Sequence, residues 1–480
     1  MSKVEIVANS SAEETRIALI EDGRLAEFFW ERKSASSQFL VGNIYCGRVA
    51  NVLPGMDAAF VNIGYEKNAY LYITDVLIQD RGKPIDHILK KDQKVMVQVI
   101  KDTIGTKGMK ITMNVNIPGR YLVLTPYQRQ VHVSKHLEDP GEHERLAEAV
   151  TSALPAHIGA IVRTEAEGVS SEEIKREAKY LMKLWDTIHK KFEHADGPRL
   201  LYKELDLAHQ VARDILSEDV AVYLVDSPQV YRDLEAFVEE VAPHLKNRLM
   251  LYNKRPPIFG AFGIETELVK MLRTHIPLKS GGVIVVQEAE SITMIDVNTA
   301  RFVGATTQEE TVTQTNIEAA QEVARQLRLR NIGGIIVIDF IDMRREVNRR
   351  KVLEAFRQAL KNDRAKVKIH PITKLGLVEM TRERKRESNV VFLTDACETC
   401  QGSGRVLSKE TLLLKVGREL GNLLEGRAVN AVRINVPPPM ARYLKENQQR
   451  FEGALNGKAS RIAIQEDMNL PWEEYKIVLE

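Results

Sequence analysis

The chain has 480 residues, 44% hydrophobic and 28% charged, with a formal net charge of +2. Those values fit a soluble globular protein of several domains and exclude a disordered or fibrous one, since single cores rarely grow beyond about 250–300 residues. No apolar run reaches the ~18 residues of a membrane helix and no secretory signal opens the chain, so a cytoplasmic location is expected. Three cysteines, Cys46, Cys397 and Cys400, are too few for a disulfide framework.

In chain order, residues 43–115 read as five short strands, GNIYCGRVANVL, AAFVNIG, AYLYI, VMVQVIKD and KITMNVN, separated by turn signals such as LPGMD and GTKG. Five short strands in one segment suit a small oligonucleotide-binding barrel. Phe60 and Tyr70 on these strands could stack on bases or pack in the core, and Lys107 in the GTKG turn could reach a phosphate. In GAIVRTEAEGVS, Arg163 and Thr164 follow an apolar strand and could offer a guanidinium fork and a hydroxyl to a phosphate; a plain surface loop is the alternative. Residues 171–195 and 204–218 carry helical spacing, with Ile174, Ala178, Leu181 and Leu184 on one face of the first.

From 281 the pattern becomes strand, strand, helix, strand: GGVIVVQ, SITMIDVN, an amphipathic helix over 308–329, then GGIIVIDF. Two of these apolar strands end in aspartate, Asp296 and Asp339, and Asn298 shares the side of Asp296 if its strand persists. A carboxylate at the end of a buried strand needs a positive partner, and Mg²⁺ accepts such an oxygen-only set; capping of the next turn is the competing explanation, and Asp342 is a rival ligand. Residues 344–387 hold 15 Lys/Arg against 6 Asp/Glu, a basic segment in an otherwise acidic chain that suggests a polyanion partner or a solvated helix face. Cys397 and Cys400 have the Cys-x₂-Cys spacing of half a zinc site, to be completed by histidines or by a second chain; a redox role is a third possibility. Residues 409–480 mix a helix with strand-like VNAVRINV.

The stretches MIDVNTA, TNIEAAQEVARQLRLRNIGGIIVIDFIDM and GLVEMTR closely resemble the catalytic blocks of the ribonuclease E/G family. The resemblance implies an α/β multidomain protein: a ribonuclease H-like subdomain (1–37 and 211–271), an S1 (OB-fold) RNA-binding barrel (38–118), a 5′-sensor region (119–210), a DNase I-like catalytic subdomain (272–395), a zinc link (396–406) and a small C-terminal domain (407–480). It implies Asp296 and Asp339 as ligands of a catalytic Mg²⁺ with Asn298 orienting the site, and only a supporting role for Asp342. It further implies RNA contacts at Phe60, Tyr70 and Lys107, and a 5′-monophosphate pocket from Gly119, Val123, Arg163, Thr164 and Lys366. Lys366 stands where the family has arginine, which keeps charge but loses the bidentate fork. Cys46 stands where a lysine is common, which implies a lost basic contact.

The implied activity is Mg²⁺-dependent endonucleolytic hydrolysis of single-stranded, A/U-rich RNA, not DNA, leaving 5′-phosphate and 3′-hydroxyl ends in rRNA processing and mRNA decay. Cys397 and Cys400 would share a Zn²⁺ between protomers of a homodimer, two of which could form a homotetramer. The absence of a long Arg/Pro-rich tail resembles the compact G-type members. The alternative is a non-catalytic S1-type RNA-binding or scaffold protein, which would have no physical need for Asp296, Asn298 and Asp339 together.

Overall fold

The computed structural model describes residues 3–33, 40–77, 80, 82–101, 108–135, 137, 139–299, 308–384, 386–426, 429–450 and 461–480. They form two compact units, Met1–Phe392 and Leu393–Glu480. Among the described residues no helix is long and apolar enough to cross a membrane.

The first unit opens with an antiparallel meander, β1 (Val4–Ser10), β2 (Glu14–Glu21) and β3 (Arg24–Arg32). There follow β4 (Ile44–Leu53), β5 (Ala58–Asn62), β6 (Ala69–Tyr72), the short α1 (Ile85–Ile88), β7 (Lys94–Lys101) and β8 (Lys110–Thr112). Their order is β4-β5-β6-β8-β7, and β7 pairs back onto β4, closing a five-stranded barrel. Period-2 alternation sends Tyr45, Val49, Ala59, Val61, Leu71 and Val97 inward. The expected barrel is therefore present.

A second sheet holds β9 (Ile117–Pro118), β10 (Leu122–Thr125), β11 (Val131–Val133) and β12 (Gly159–Val162), packed with α2 (Pro140–Ala153) and α3 (Ser171–Glu193). Ser170 caps α3 by accepting the Glu173 N–H at 3.2 Å. The face α3 buries runs through Ile174, Ala178, Leu181, Trp185 and Ile188, while Leu184 is only partly buried. Cys46 is 0% exposed in the core that the barrel shares with this sheet, and burial pushes its thiol up. Its side chain is a packing residue of that core.

β13 (Arg199–Tyr202) extends the barrel sheet by pairing with β4. α4 (Leu207–Asp214), β14 (Val220–Val225), α5 (Pro228–Val241) and β15 (Leu249–Leu251) then complete the first sheet, in order β15-β14-β1-β2-β3. Leu207 and Ala208 already belong to its core, so a boundary at 211 would fall inside α4.

After α6 (Ile258–Ala261) and α7 (Ile264–Met271) come β16 (His275–Pro277), β17 (Val283–Glu288), β18 (Ile292–Asn298), α8 (Gln308–Leu329), β19 (Gly334–Asp339), α9 (Glu346–Ala359), β20 (Val367–Ile369) and β21 (Leu377–Arg382). The sheet order is β16-β17-β18-β19-β21-β20, and α8 and α9 cover one face through Ala320, Val323, Leu327, Val352 and Phe356. The α8 surface turned from this sheet is buried too. Arg328 bonds Glu27 at 2.6 Å, Arg325 donates to the Leu25 carbonyl at 2.8 Å, and Glu322 pairs with Arg24 at 2.9 Å. α8 thus lies between two sheets, with an apolar stripe on one and a desolvated ionic stripe on the other. Removing one partner of such a buried pair costs about 3–5 kcal/mol, because the remaining charge is left uncompensated.

α10 (Asn389–Leu393) closes this stretch. In the second unit α11 (Lys409–Leu423), β22 (Val432–Val436), α12 (Pro438–Glu446), β23 (Ile462–Glu466) and β24 (Lys476–Leu479) form a three-stranded sheet, β23-β22-β24, with its own core of Leu412, Val416, Leu420, Ile434 and Met440.

Candidate active site and nucleic-acid interface

β18 and β19 are parallel neighbours joined by the α8 crossover, and Asp296 is the register partner of Asp339. Along β18, Thr293, Ile295 and Val297 point into the helix-covered core, so Met294, Asp296 and Asn298 point to the other face. On β19, Ile336 and Ile338 are buried and Asp339 is exposed. Both acids therefore stand side by side at the carboxyl ends of two parallel strands, where open α/β sheets present ligand sites.

Asn298 Nδ2 donates to Asp296 Oδ2 at 2.6 Å, so the expected trio is brought together. Burial, followed by the charges of Asp296 and Asp342, pushes the Asp339 carboxyl above its ordinary range. A divalent cation would relieve that repulsion. Among the described residues no cluster of three or more His, Cys, Asp or Glu side chains is placed to hold a metal ion. Two carboxylates plus an amide oxygen do suit an ion that keeps several waters.

Sequence reasoning missed the residues that hold the loop after β19. Asn316, fully buried in α8, donates to the Ile341 carbonyl at 2.8 Å and accepts the Ile341 N–H at 3.1 Å. Glu309 accepts from the Arg344 and Arg345 backbone N–H groups and from Asn348. A polar residue on the buried face of an otherwise apolar helix pattern, as in TNIEAA, was the available signal.

The barrel's outer face carries aromatic side chains. Phe60 and Tyr70 are register partners with ring centroids 5.9 Å apart, and Tyr72, two residues along the same face, stacks on Tyr70 at 6.3 Å. Because Ala59, Val61 and Leu71 fill the interior, these three rings form an outward ladder. Tyr72 was not singled out from sequence, although the i, i+2 spacing allowed it. Lys107 lies outside the described residues.

Arg163 sits at the end of β12. Its Nη1 donates to the Gly119 carbonyl at 2.9 Å and to Asp214 at 2.7 Å, which joins Arg163 and Gly119 directly. A Cβ on residue 119 would come within 2.8 Å of the Glu177 carboxylate, so any larger residue here would have to displace it. Glu177 in turn accepts the N–H groups of Arg120, Tyr121 and Leu122. The Gly119 N–H is committed to the Leu122 carbonyl at 2.7 Å.

Glu165 lies 3.5 Å from Arg163 Nε and accepts the Thr164 hydroxyl at 3.2 Å, so a carboxylate already engages both polar residues expected to meet a phosphate. Val123 is half-buried on β10. Lys366 is exposed just before β20, next to Ala365, which lines a 270 Å³ cavity together with Asp214.

The basic segment 344–387 is only partly a surface feature. Arg382 is buried on Asp363 at 2.7 Å, Arg364 pairs with Glu27 at 3.1 Å, and Arg384 donates to the Gly333 carbonyl at 2.9 Å. A share of that charge is structural, and this narrows the polyanion face expected from composition.

In the second unit, Gln401 N–H bonds the Cys397 carbonyl at 2.7 Å and Ser403 N–H bonds the Cys400 carbonyl at 2.8 Å. Gln401, Gly402 and Gly404 take positive φ, so the chain curls tightly after the thiols. Backbone N–H groups of Cys400 and Thr399 hold the exposed Cys397 thiol below its ordinary range, which favours the thiolate form.

A family profile described as "Ribonuclease E/G family" matches residues 116–385, and one described as "RNase E/G, Thioredoxin-like domain" matches residues 396–479. The chain is 38% identical over 489 aligned residues to Ribonuclease G of Escherichia coli (strain K12), covering 99% of each. It is 38% identical to Ribonuclease G of Haemophilus influenzae over 455 residues, 92% of each. It is also 38% identical to Ribonuclease E of Nostoc sp. over 404 residues, 82% of this chain and 59% of that protein.

Proposed function

This chain belongs to the ribonuclease E/G family, and from that premise we propose that it is an endoribonuclease of RNA processing and decay that cuts single-stranded RNA on the uncovered face of the β16–β21 sheet. The observation that carries the reading is the in-register pair Asp296 and Asp339 on that face. Asp296 and Asp339 would hold Mg²⁺, with Asn298 fixing the Asp296 carboxylate. Burial first, and the charges of Asp296 and Asp342 second, disfavour an uncompensated Asp339 carboxylate, which supports a cation there. When bound, the ion supplies a water of lowered pKa and stabilises charge on the phosphate in an in-line displacement. Water attack leaves 5′-phosphate and 3′-hydroxyl ends.

The chain's own residues do the rest. An open face admits a polymer, Phe60 and Tyr70 stack on bases with little sequence preference, and the Asn316 clamp keeps the loop after Asp339 in place. A/U-rich targets suit this, since weak pairing leaves them single-stranded. Arg163, Thr164, Val123, Gly119 and Lys366 form the proposed pocket for a 5′-monophosphate; the Arg163–Gly119 bond supports it. Of the four sheets of the first unit, the barrel would be the S1 domain and the other three the ribonuclease H-like, 5′-sensor and DNase I-like subdomains. Cys397 and Cys400 supply half a tetrahedral thiolate shell, so a second protomer's pair would complete a Zn²⁺ site and make a homodimer, with a homotetramer as the next level. The cytoplasm is the compartment proposed.

The test is cleavage of a labelled single-stranded RNA bearing a 5′-monophosphate or a 5′-hydroxyl, with and without Mg²⁺, by wild type and Asp296→Asn. Mg²⁺-dependent cutting lost in the variant is expected. Cutting retained in Asp296→Asn removes the metal assignment, and equal rates on the two ends remove the sensor pocket.

A further inference from the structure

We propose that a groove between the C-terminus of α3 and strand β13 is a further binding site for the sugar–phosphate backbone of the RNA, separate from the acid pair and from the Arg163 pocket. The groove encloses about 450 Å³ and is lined by Lys190, Lys191, His194, Arg199 and Leu200. Four of its five lining residues are basic and none is acidic.

The partners of these groups leave the charge uncompensated. Lys191 Nζ donates to the Leu201 carbonyl at 3.2 Å, and His194 Nδ1 meets the Lys190 carbonyl at 2.8 Å. Behind them Lys94 donates to the carbonyls of Glu193 and Ala195, and Arg48 to that of Asp196. All of these acceptors are neutral. The nearby Glu193 carboxylate meets His189 at 3.5 Å. Among the described residues the side chains of Lys190 and Arg199 have neither a hydrogen bond nor an ion pair.

Cations at a helix C-terminus are stabilised by the helix dipole, and that accounts for Lys190 and Lys191. It does not account for Arg199, which comes from a strand and has no partner. Exposed Leu200 beside it, 46% accessible, offers an apolar surface to a ribose or a base face. The groove and the aromatic ladder belong to one sheet: Arg199 is the register partner of Cys46 on β4, and Phe60 on β5 is the partner of Asn51, five residues farther along β4. A strand leaving the aromatic ladder along this sheet therefore meets positive charge next. With donors and no arranged set of acceptors, such a groove contacts phosphates and not base edges, so it adds affinity without sequence preference.

The test is binding of 5′-hydroxyl single-stranded RNA by the full chain in Mg²⁺-free buffer across a salt series, comparing wild type with the double variant Lys190→Gln, Arg199→Gln. Loss of two phosphate contacts should reduce the slope of log K against log salt by about 1.4, at ~0.7 per contact on single strands. Affinity for a long RNA should fall about tenfold at low salt. A short oligonucleotide spanning only the barrel should bind unchanged, and the charge-keeping pair Lys190→Arg, Arg199→Lys should restore the slope. An unchanged slope with the long RNA overturns the proposal. So does a variant that keeps its RNA slope but loses binding to anionic lipid vesicles, which would assign the groove to another polyanion.

Discussion

Asp339→Asn separates a carboxylate placed for a cation from one that merely caps a loop. Asp296 and Asp339 are partners on adjacent strands, so their backbones lie about 4.8 Å apart and their carboxylates point to one face. Two unit charges at ~5 Å repel by roughly 1 kcal/mol in bulk water and about 3 kcal/mol at an effective dielectric near 20. Asp339 is solvent-exposed, so screening keeps the penalty near the lower value, at or below about 1 kcal/mol. Its carboxyl is raised above its ordinary range, so the folded state disfavours the ionised form. That penalty is present above the folded pKa and is relieved as pH falls through it.

The amide has no such penalty at any pH. At neutral pH without divalent ions, the variant's melting temperature should therefore exceed wild type by about 1–3 °C, and the difference should vanish in acid. Millimolar Mg²⁺ should raise the wild-type value and leave the variant where it is, while cleavage falls at least about 10²-fold. Differential scanning calorimetry with a cleavage assay reads all of this. A variant that melts several degrees lower, and still cuts, would refute the reasoning and return Asp339 to a structural role.

Glu165→Ala removes the carboxylate that occupies Arg163 and Thr164, so the rate ratio between 5′-monophosphate and 5′-hydroxyl RNA should rise about 3–10-fold; an unchanged ratio disproves the competition. Tyr72→Ala should weaken binding of a poly-pyrimidine strand by the about 1–3 kcal/mol of a lost stacking partner, measured by fluorescence anisotropy without Mg²⁺. Cys397→Ser, or a zinc chelator, should shift sedimentation to a smaller species with far-UV circular dichroism unaltered; no shift would exclude the thiolate link. Glu142, held by Arg145 and the Gly168 N–H, has its carboxyl lowered to about 2. Its stabilisation is complete above its ordinary value of 4.5 and is lost as pH falls towards 2. Glu142→Gln should thus melt lower at pH 7 and approach wild type near pH 2.

Local pattern carried far in this chain. The barrel strands, the 308–329 helix and the acid-terminated strands were legible because alternation and helical spacing are properties of neighbouring residues. The α8 ionic stripe was not. Arg325 and Arg328 in ARQLRLR look like a solvated face until the first sheet closes over them with Glu21 and Glu27 from hundreds of residues earlier. The burial of Cys46 was hidden for a related reason, since its strand has two faces and only packing against the second sheet decides which is covered.

Local pattern already marked the residues able to do the chemistry: two aspartates each ending an apolar run, an asparagine two positions on, a pair of cysteines three apart and aromatics on short strands. That Asp296 and Asp339 are register partners, that Asp214 lies on Arg163 and that Glu27 meets Arg328 follows from the folded arrangement alone. Cross-strand register and helix-to-strand packing join residues far apart in the chain, and a single slip would turn each side chain to the opposite face. Those pairings are set by the whole buried core and by no local segment.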